Sequence, residues 1–225
     1  MVSTGQVYLV REGCPRPARE ADYDGPLLAR PADPADLWDW EYGMGKRACE
    51  DALAAAGREG FTATRLRIPM VSGPLDYHRR LEGYLWRLLD GGPVLVPDGG
   101  AHRVRHVAGE EVARLLCEQL GNPATFGQAY NLAQEETPTL LELLEALKAM
   151  LGSAAPLVPV PSARLAAAGL VPVEVSPFSG RWMSFLDPGR AVRELGFRHA
   201  PLERGLHAAV ASFLAHPPSD RPKGY

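Results

Sequence analysis

Tyr42 and Lys46 carry the clearest chemistry in this sequence. They lie four residues apart in the segment 42–46, YGMGK, within a pattern that predicts a helix from about Trp38 to Gly57. Residues i and i+4 of a helix share a face, with Cβ atoms about 5–6 Å apart. A lysine ammonium at that distance stabilises a phenolate, which suits acid–base chemistry near neutral pH. The same spacing also occurs on ordinary exposed helix faces, so the pattern alone leaves both interpretations open.

Two predicted strands flank this helix. The β-branched, apolar segment Val2–Val10 predicts a buried strand, and Phe61–Ile68 predicts a second one that Pro69 closes. Strand, helix and strand in this order predict a parallel βαβ unit. A hydroxyl from Ser3 or Thr4 is then expected at the carboxyl end of a strand, the edge where open α/β sheets bind ligands.

A long loop separates the first strand from the helix. Residues 14–36 are rich in Pro, Asp and Arg and show no periodicity. A loop of this length within a compact domain is usually a functional lid or a flexible insert.

The second half of the chain mixes short strands with helices. We predict strands at Val94–Pro97, His102–Val107 and Gln128–Leu132. We predict helices at Arg80–Leu89, Glu110–Leu120, Thr139–Leu151 and Leu202–Leu214, and a short one that follows Asp187-Pro188 and ends at Gly196. Thr137 is the predicted N-cap of the helix Thr139–Leu151.

Composition narrows the function classes. The 225 residues include 24 basic and 27 acidic side chains, so the net charge of −3 offers no footprint for nucleic acid or an anionic membrane. No apolar stretch approaches the roughly 18 residues of a membrane span, and the first ten residues do not resemble a secretory signal. Three cysteines and six histidines without metal-ligand spacing predict no metal site and a reducing cytoplasm.

Three segments in order resemble a known family: STGQVY at 3–8, YxxxK at 42–46 and LRIPMVSGP at 66–74. They are similar to the extended short-chain dehydrogenases/reductases, specifically the NAD-dependent epimerase/dehydratase group. The likeness continues through 104–113, 129–133 and 187–201. It implies an α/β fold with a partial Rossmann-like, doubly wound parallel sheet in residues 1–75. Residues 76–225 would form mainly a smaller, mixed α/β substrate-binding part, with segments that return to the sheet.

The resemblance also implies roles for individual residues. Tyr42 would be the general acid/base, and Lys46 would tune it and bind the nicotinamide ribose of NAD or NADP. Thr4, or less directly its neighbour Ser3, would hydrogen-bond the substrate oxygen. The nicotinamide would be lined by Pro69, Met70 and Val71. A substrate phosphate would be bound by Arg105 or His106. The implied activity is that of an oxidoreductase or isomerase acting on a nucleotide sugar or a related carbonyl or alcohol, in a homodimer.

Two departures from the family pattern matter. The 38 residues from Thr4 to Tyr42 exceed the usual spacing, so the loop is an insert. The family's Gly-rich turn, which seats the cofactor pyrophosphate on a helix N-terminus, does not precede the first strand. The segment Gly43-x-Gly45-x-x-Ala48 formally matches the Gly-rich phosphate-binding pattern. It falls inside the predicted helix, so we interpret its glycines as part of that helix.

Three explanations remain open for the missing turn: a miscalled start, a fragment or one part of a split enzyme, and a truncated, non-catalytic relative that binds a small ligand or a protein. Without the strands that precede it in the family, the first strand is expected to present an exposed apolar edge.

Overall fold

The computed structural model describes residues 1–73 and 76–221; Pro74, the last residue of the third family-like segment, lies outside them. The fold is α/β, and its described part divides into two compact units. In chain order the elements are β1 (Val2–Thr4), α1 (Gln6–Leu9), α2 (Pro34–Gly57), β2 (Arg65–Ile68), β3 (Met70–Ser72), α3 (Arg80–Asp90), β4 (Val94–Pro97), β5 (His106–Ala108), α4 (Gly109–Gln119), β6 (Ala129–Asn131), α5 (Leu140–Leu151), β7 (Leu157–Val160), α6 (Ser162–Ala167), α7 (Pro172–Val175), α8 (Gly189–Leu195) and α9 (Leu202–Ala215).

The first unit is built on a parallel sheet and comprises Met1–Val71, Arg105–Glu135 and Trp182–His199. Its strand order is β1-β2-β6, and β3 pairs with β5 in a separate two-stranded sheet. The register sets Thr4 opposite Ile68. Because all three strands of the larger sheet are parallel, their carboxyl ends meet at one edge.

Two apolar clusters form the core of this unit. One packs the sheet against α4 and α8 through Leu66, Val107, Val112, Leu115, Tyr130, Leu132, Ala191 and Phe197. The other buries α1 and consists of Val7, Tyr8, Ala18, Ala133 and Leu186. Since Ala18 belongs to it, the predicted loop contributes to the core.

The predicted first strand, Val2–Val10, is wrong beyond Thr4. The chain turns at Gly5, the N-cap of α1, and the Thr4 hydroxyl accepts a 3.2 Å hydrogen bond from the amide of Gln6, the first residue of this helix. A short apolar run does not by itself distinguish a strand from a buried helix. The edge that β1 presents is therefore only three residues long, although Val2 is exposed there. The second predicted strand is also shorter, since β2 begins at Arg65 rather than Phe61.

Helix α2 begins earlier than predicted, because the Asp33 carboxylate accepts a 2.9 Å hydrogen bond from the Ala35 amide and caps it. Its buried residues are Gly43, Arg47 and Glu50. Ala48 and Ala52, whose i, i+4 spacing in the sequence predicts one apolar side of a helix, are exposed. The apolar alanines therefore do not define the core-facing side of this helix.

Gly43 allows α1 and α2 to pack closely. A Cβ at this position would lie 2.7 Å from Val10 Cγ1 and 3.0 Å from the Gln6 carbonyl oxygen, whereas one at Gly45 would meet nothing within 4 Å. Both glycines lie inside α2, so the formal Gly43-x-Gly45 match is part of a helix interior, as predicted.

The second unit comprises the described parts of Ser72–Val104, Glu136–Arg181 and Ala200–Tyr225. Its parallel pair β4–β7 sets Val94 opposite Leu157, and α3, α5 and α9 pack on one another. The Tyr84 hydroxyl and Ser176 Oγ are 2.6 Å apart in its interior.

Two predictions in the second half need correction. The predicted strand His102–Val107 is only His106–Ala108, and β7, α6 and α7 were not predicted. β7 contains Pro159, which obscures its strand pattern. The N-cap of α5 is Thr139, not Thr137: Thr139 Oγ1 accepts from the Glu142 amide at 3.1 Å, and the Glu142 carboxylate accepts from the Thr139 amide at 2.7 Å.

Candidate functional site

The carboxyl edge of the parallel sheet brings together two of the predicted site segments. Thr4 ends β1 and Ile68 ends β2, and the Gly5 amide donates to the Ile68 carbonyl at 2.8 Å. Pro69 follows Ile68 directly, so Thr4 and Pro69 lie at the same edge. Helix α2 packs against both β1 and α1 beside it.

Tyr42 and Lys46 lie on the part of α2 that borders β1. The Lys46 ammonium donates to the Val2 carbonyl at 3.0 Å. The Tyr42 side chain is 41% exposed, and its ring stacks on that of Trp38 with centroids 5.7 Å apart. Both functional groups are therefore accessible on a helix that is anchored to the sheet.

Gln6 and Asp39 extend this site, and the sequence reasoning missed both. Gln6 Nε2 donates to Asp39 Oδ1 at 2.9 Å, while the Gln6 backbone amide donates to Thr4 Oγ1. Gln6 is buried, and burial raises the pKa of the Asp39 carboxyl. Asp39 precedes Tyr42 by three residues, so the helical i, i+3 spacing was a signal available in the sequence.

A buried ion pair fixes α2 to the sheet below the site. Glu50 Oε2 and Arg67 Nη2 are 2.7 Å apart, and their side chains are 0% and 2% exposed. The Ser3 hydroxyl donates to Glu50 Oε1 at 2.5 Å. Glu50 thereby joins the helix of Tyr42 and Lys46 to β1 and β2, and the Ser3 hydroxyl is engaged in this framework.

The predicted long loop, residues 14–36, is anchored by buried polar contacts. Arg67 Nη1 donates to the Tyr8 hydroxyl at 2.6 Å, and that hydroxyl donates to Asn131 Oδ1 at 2.9 Å. The Asn131 amide donates to Glu20 Oε1 at 2.7 Å, and its side chain donates to the Ala18 carbonyl. Burial raises the pKa of both Tyr8 and Glu20. Through Ala18 and Glu20, the segment is part of the packed interior.

The remaining predicted site residues lie deeper in the first unit. Pro69 is buried, and Val71 packs against the larger apolar cluster. Met70, between them, is half-buried. Arg105 is 9% exposed; its guanidinium donates to the Leu186 carbonyl and stacks 4.4 Å from the Phe185 ring centroid. Burial lowers its pKa.

His106, the other predicted phosphate contact, begins β5 and is 1% exposed. Its carbonyl accepts from the Gln134 amide at 2.8 Å. The two phosphate-binding predictions thus concern side chains that are largely buried.

The residues present fit one end of a dinucleotide. Lys46 and Tyr42 offer an accessible ammonium and phenol beside the carboxyl edge, which suits a nicotinamide ribose. Within residues 1–73 and 76–221, no strand leads through a Gly-rich turn into a helix, the arrangement that would cradle a pyrophosphate. No group of three or more His, Cys, Asp or Glu side chains that could hold a metal ion occurs in that same part.

Comparison with known proteins identifies the fold. No family model and no curated protein matches the sequence. Among solved structures, UDP-glucose 4-epimerase from Thermotoga maritima, with UDP-glucose, superimposes with a TM-score of 0.71 at 22% identity. The chain shares the fold of nucleotide-sugar epimerases and dehydratases. The fold class predicted from the family-like motifs is confirmed.

Two further structures are similar. The dTDP-glucose 4,6-dehydratase from Streptomyces venezuelae, with NAD and TYD bound, gives a TM-score of 0.68 at 21% identity over 96% of this chain. UDP-glucuronic acid 4-epimerase from Bacillus cereus, in complex with NAD, gives 0.67 at 18% identity over 95%.

The superpositions cover nearly all of this chain but only part of each known structure. The superposition on the Thermotoga enzyme covers 95% of this chain but 62% of that enzyme, and the other two are covered to 59% and 60%. The chain therefore spans about three fifths of the structures it resembles. No helix in its described part is both long and apolar enough to cross a membrane.

Proposed function

We propose that this chain is the acid–base and substrate-binding part of an extended short-chain dehydrogenase/reductase of the epimerase/dehydratase group. It acts as an NAD(P)-dependent oxidoreductase or isomerase on a nucleotide sugar or a related carbonyl or alcohol. The observation that carries the proposal is the position of Thr4 at the carboxyl end of β1, with Tyr42 and Lys46 on the helix packed beside that strand.

Each residue has a stated role in the proposal. The Thr4 hydroxyl binds the reacting substrate oxygen, and the Tyr42 phenol exchanges the proton of that oxygen. Lys46 supports the phenolate electrostatically and binds the ribose hydroxyls. Pro69, with Met70 and Val71 after it, contributes the apolar side of the nicotinamide site. Bound NAD or NADP supplies or accepts the hydride.

The proposal is tested by turnover and by binding. The chain, extended by any in-frame segment that its gene encodes before Met1, is assayed with NAD⁺ and UDP-glucose, UDP-glucuronic acid or dTDP-glucose. Tyr42→Phe should abolish turnover, whereas Tyr77→Phe, at a side chain that is 91% exposed, should leave it unchanged. Unchanged turnover in a folded Tyr42→Phe variant would rule out the acid–base role.

A second candidate is a non-catalytic relative that binds a small ligand or a protein. The part of the chain that the structure describes has no Gly-rich strand–helix turn, so it offers no pyrophosphate cradle of its own. Titration of the 225-residue chain with NADH distinguishes the two proposals. Micromolar affinity would exclude the non-catalytic relative, because that relative is one that no longer binds the dinucleotide.

We also propose a cytoplasmic homodimer. The outward side of α2 carries Trp38, which is 65% exposed, together with the exposed Ala48, Cys49 and Ala52. A second copy of the same helix would cover this apolar side. Light scattering should show a dimer that Trp38→Ser weakens; a monomer at every concentration would contradict the proposal.

A further inference from the structure

Asp39 occupies a distinctive position next to the candidate catalytic groups. It lies one helical turn before Tyr42 on α2, and residues three apart on a helix are neighbours. Across the interface with α1, its Oδ1 accepts the 2.9 Å hydrogen bond from Gln6 Nε2. Gln6 in turn donates its backbone amide to Thr4 Oγ1. The Asp39 carboxylate and the Thr4 hydroxyl are therefore linked through Gln6, and Tyr42 follows Asp39 by three residues on the same helix.

The second oxygen of this carboxylate is available. No residue in the described part of the chain donates a hydrogen bond to Asp39 Oδ2, and Asp39 forms no ion pair there. Gln6 is 8% exposed, so it holds Oδ1 from a fixed, buried position. A half-buried carboxylate with one oxygen fixed and the other open is suited to accept a hydrogen bond from a ligand hydroxyl.

We propose that Asp39, oriented by Gln6, is a sugar-recognition residue whose Oδ2 accepts a hydrogen bond from a ring hydroxyl of the substrate. This inference rests on the proposed function, because it takes the substrate to be a nucleotide sugar held near Thr4 and Tyr42. Gln6 acts as a positioning residue. Asp39 discriminates a hexose hydroxyl from an apolar group, since an unpaired carboxylate in a closed site is costly.

The proposal has a consequence for pH. The charged group facing Asp39 on its own helix is Asp36, and the group facing it from α1 is the neutral amide of Gln6. Desolvation and the Asp36 charge both raise the pKa of Asp39. Because the ionised form is the stronger acceptor, affinity for the sugar should fall as pH drops through the raised pKa of Asp39.

The experiment compares each nucleotide sugar with its nucleotide. Isothermal titration of the chain with UDP-glucose against UDP, and with dTDP-glucose against dTDP, isolates the affinity contributed by the sugar. Asp39→Asn should weaken UDP-glucose binding about tenfold, the difference between a charged and a neutral hydrogen bond, and leave UDP binding unchanged. The pH dependence of the sugar contribution should disappear in the same variant. Gln6→Ala should give a smaller loss, because Oδ1 is no longer held.

The matched control is Glu41→Gln, which removes an exposed carboxylate from the same helix where it pairs with Arg30. It should leave both affinities unchanged, and thermal melts confirm that all variants fold. Equal UDP-glucose affinity in wild type and Asp39→Asn would overturn the inference alone. A wild-type chain that binds UDP-glucose no better than UDP would also overturn it. Failure of the wild type to bind any of the four ligands would overturn the proposed function, and the inference with it.

Discussion

Neutralising Glu50 should destabilise the chain strongly. In Glu50→Gln the shape is retained, but the Arg67 guanidinium, 2% exposed, loses its counter-charge in the interior. Removing one partner of a buried ion pair costs about 3–5 kcal/mol. Arg67 keeps its hydrogen bond to the Tyr8 hydroxyl and lies 4.3 Å from the Tyr23 ring centroid. These contacts stabilise the cation, so we expect the lower end, about 3 kcal/mol.

A loss of this size is measurable, because a domain's total stability is about 5–15 kcal/mol. Urea unfolding followed by circular dichroism should show a lower midpoint with an unchanged slope. The control Glu41→Gln breaks the exposed pair with Arg30 and should cost no more than about 1 kcal/mol. The double variant Glu50→Leu/Arg67→Met replaces the pair by apolar side chains and should be more stable than Glu50→Gln.

Two results would refute this reasoning. One is a Glu50→Gln variant as stable as Glu41→Gln, which would mean that water or a shifted side chain compensates the buried Arg67 charge. The other is a double variant less stable than the single one, which would show that the pair itself is strongly stabilising.

Three further predictions concern individual positions. Gly43→Ala should lower the free energy of unfolding by about 1–3 kcal/mol, because its Cβ overlaps α1. Gly45→Ala has open space around its Cβ, so urea unfolding should show no change or a gain of up to about 1 kcal/mol. Burial raises the pKa of Glu20 in the folded state, so folding favours its protonated form. The stability that this adds is present at acid pH, and it is lost as pH rises from the ordinary pKa of 4.5 through the raised pKa of the folded state. The wild type should therefore lose stability relative to Glu20→Gln as pH rises across this interval. A difference between their urea midpoints that does not change with pH would contradict this. Thr139→Ala should lose about 1 kcal/mol with the N-cap of α5, whereas Thr137→Ala should be neutral; equal thermal shifts would show that the capping assignment is wrong.

Local patterns in the sequence determined the outline of the fold and the main site candidates. The helix of Tyr42 and Lys46 was predictable because its periodicity extends over many residues, and the stop at Gly196 because a glycine there adopts a positive φ of 63°. The order of strand, helix and strand indicated a parallel sheet whose carboxyl edge holds Thr4 and Pro69. These features depend on neighbouring residues alone.

Only the tertiary structure decided which residues meet across the chain. It divided Val2–Val10 into β1 and α1, because the apolar residues of α1 enter a core shared with Ala18 and Leu186. The same holds for Glu50 with Arg67 and for Gln6 with Asp39, 17 and 33 residues apart. A sequence pattern reports the period of one segment, whereas the energy of a buried charge or a fixed carboxylate depends on a distant partner that only folding supplies.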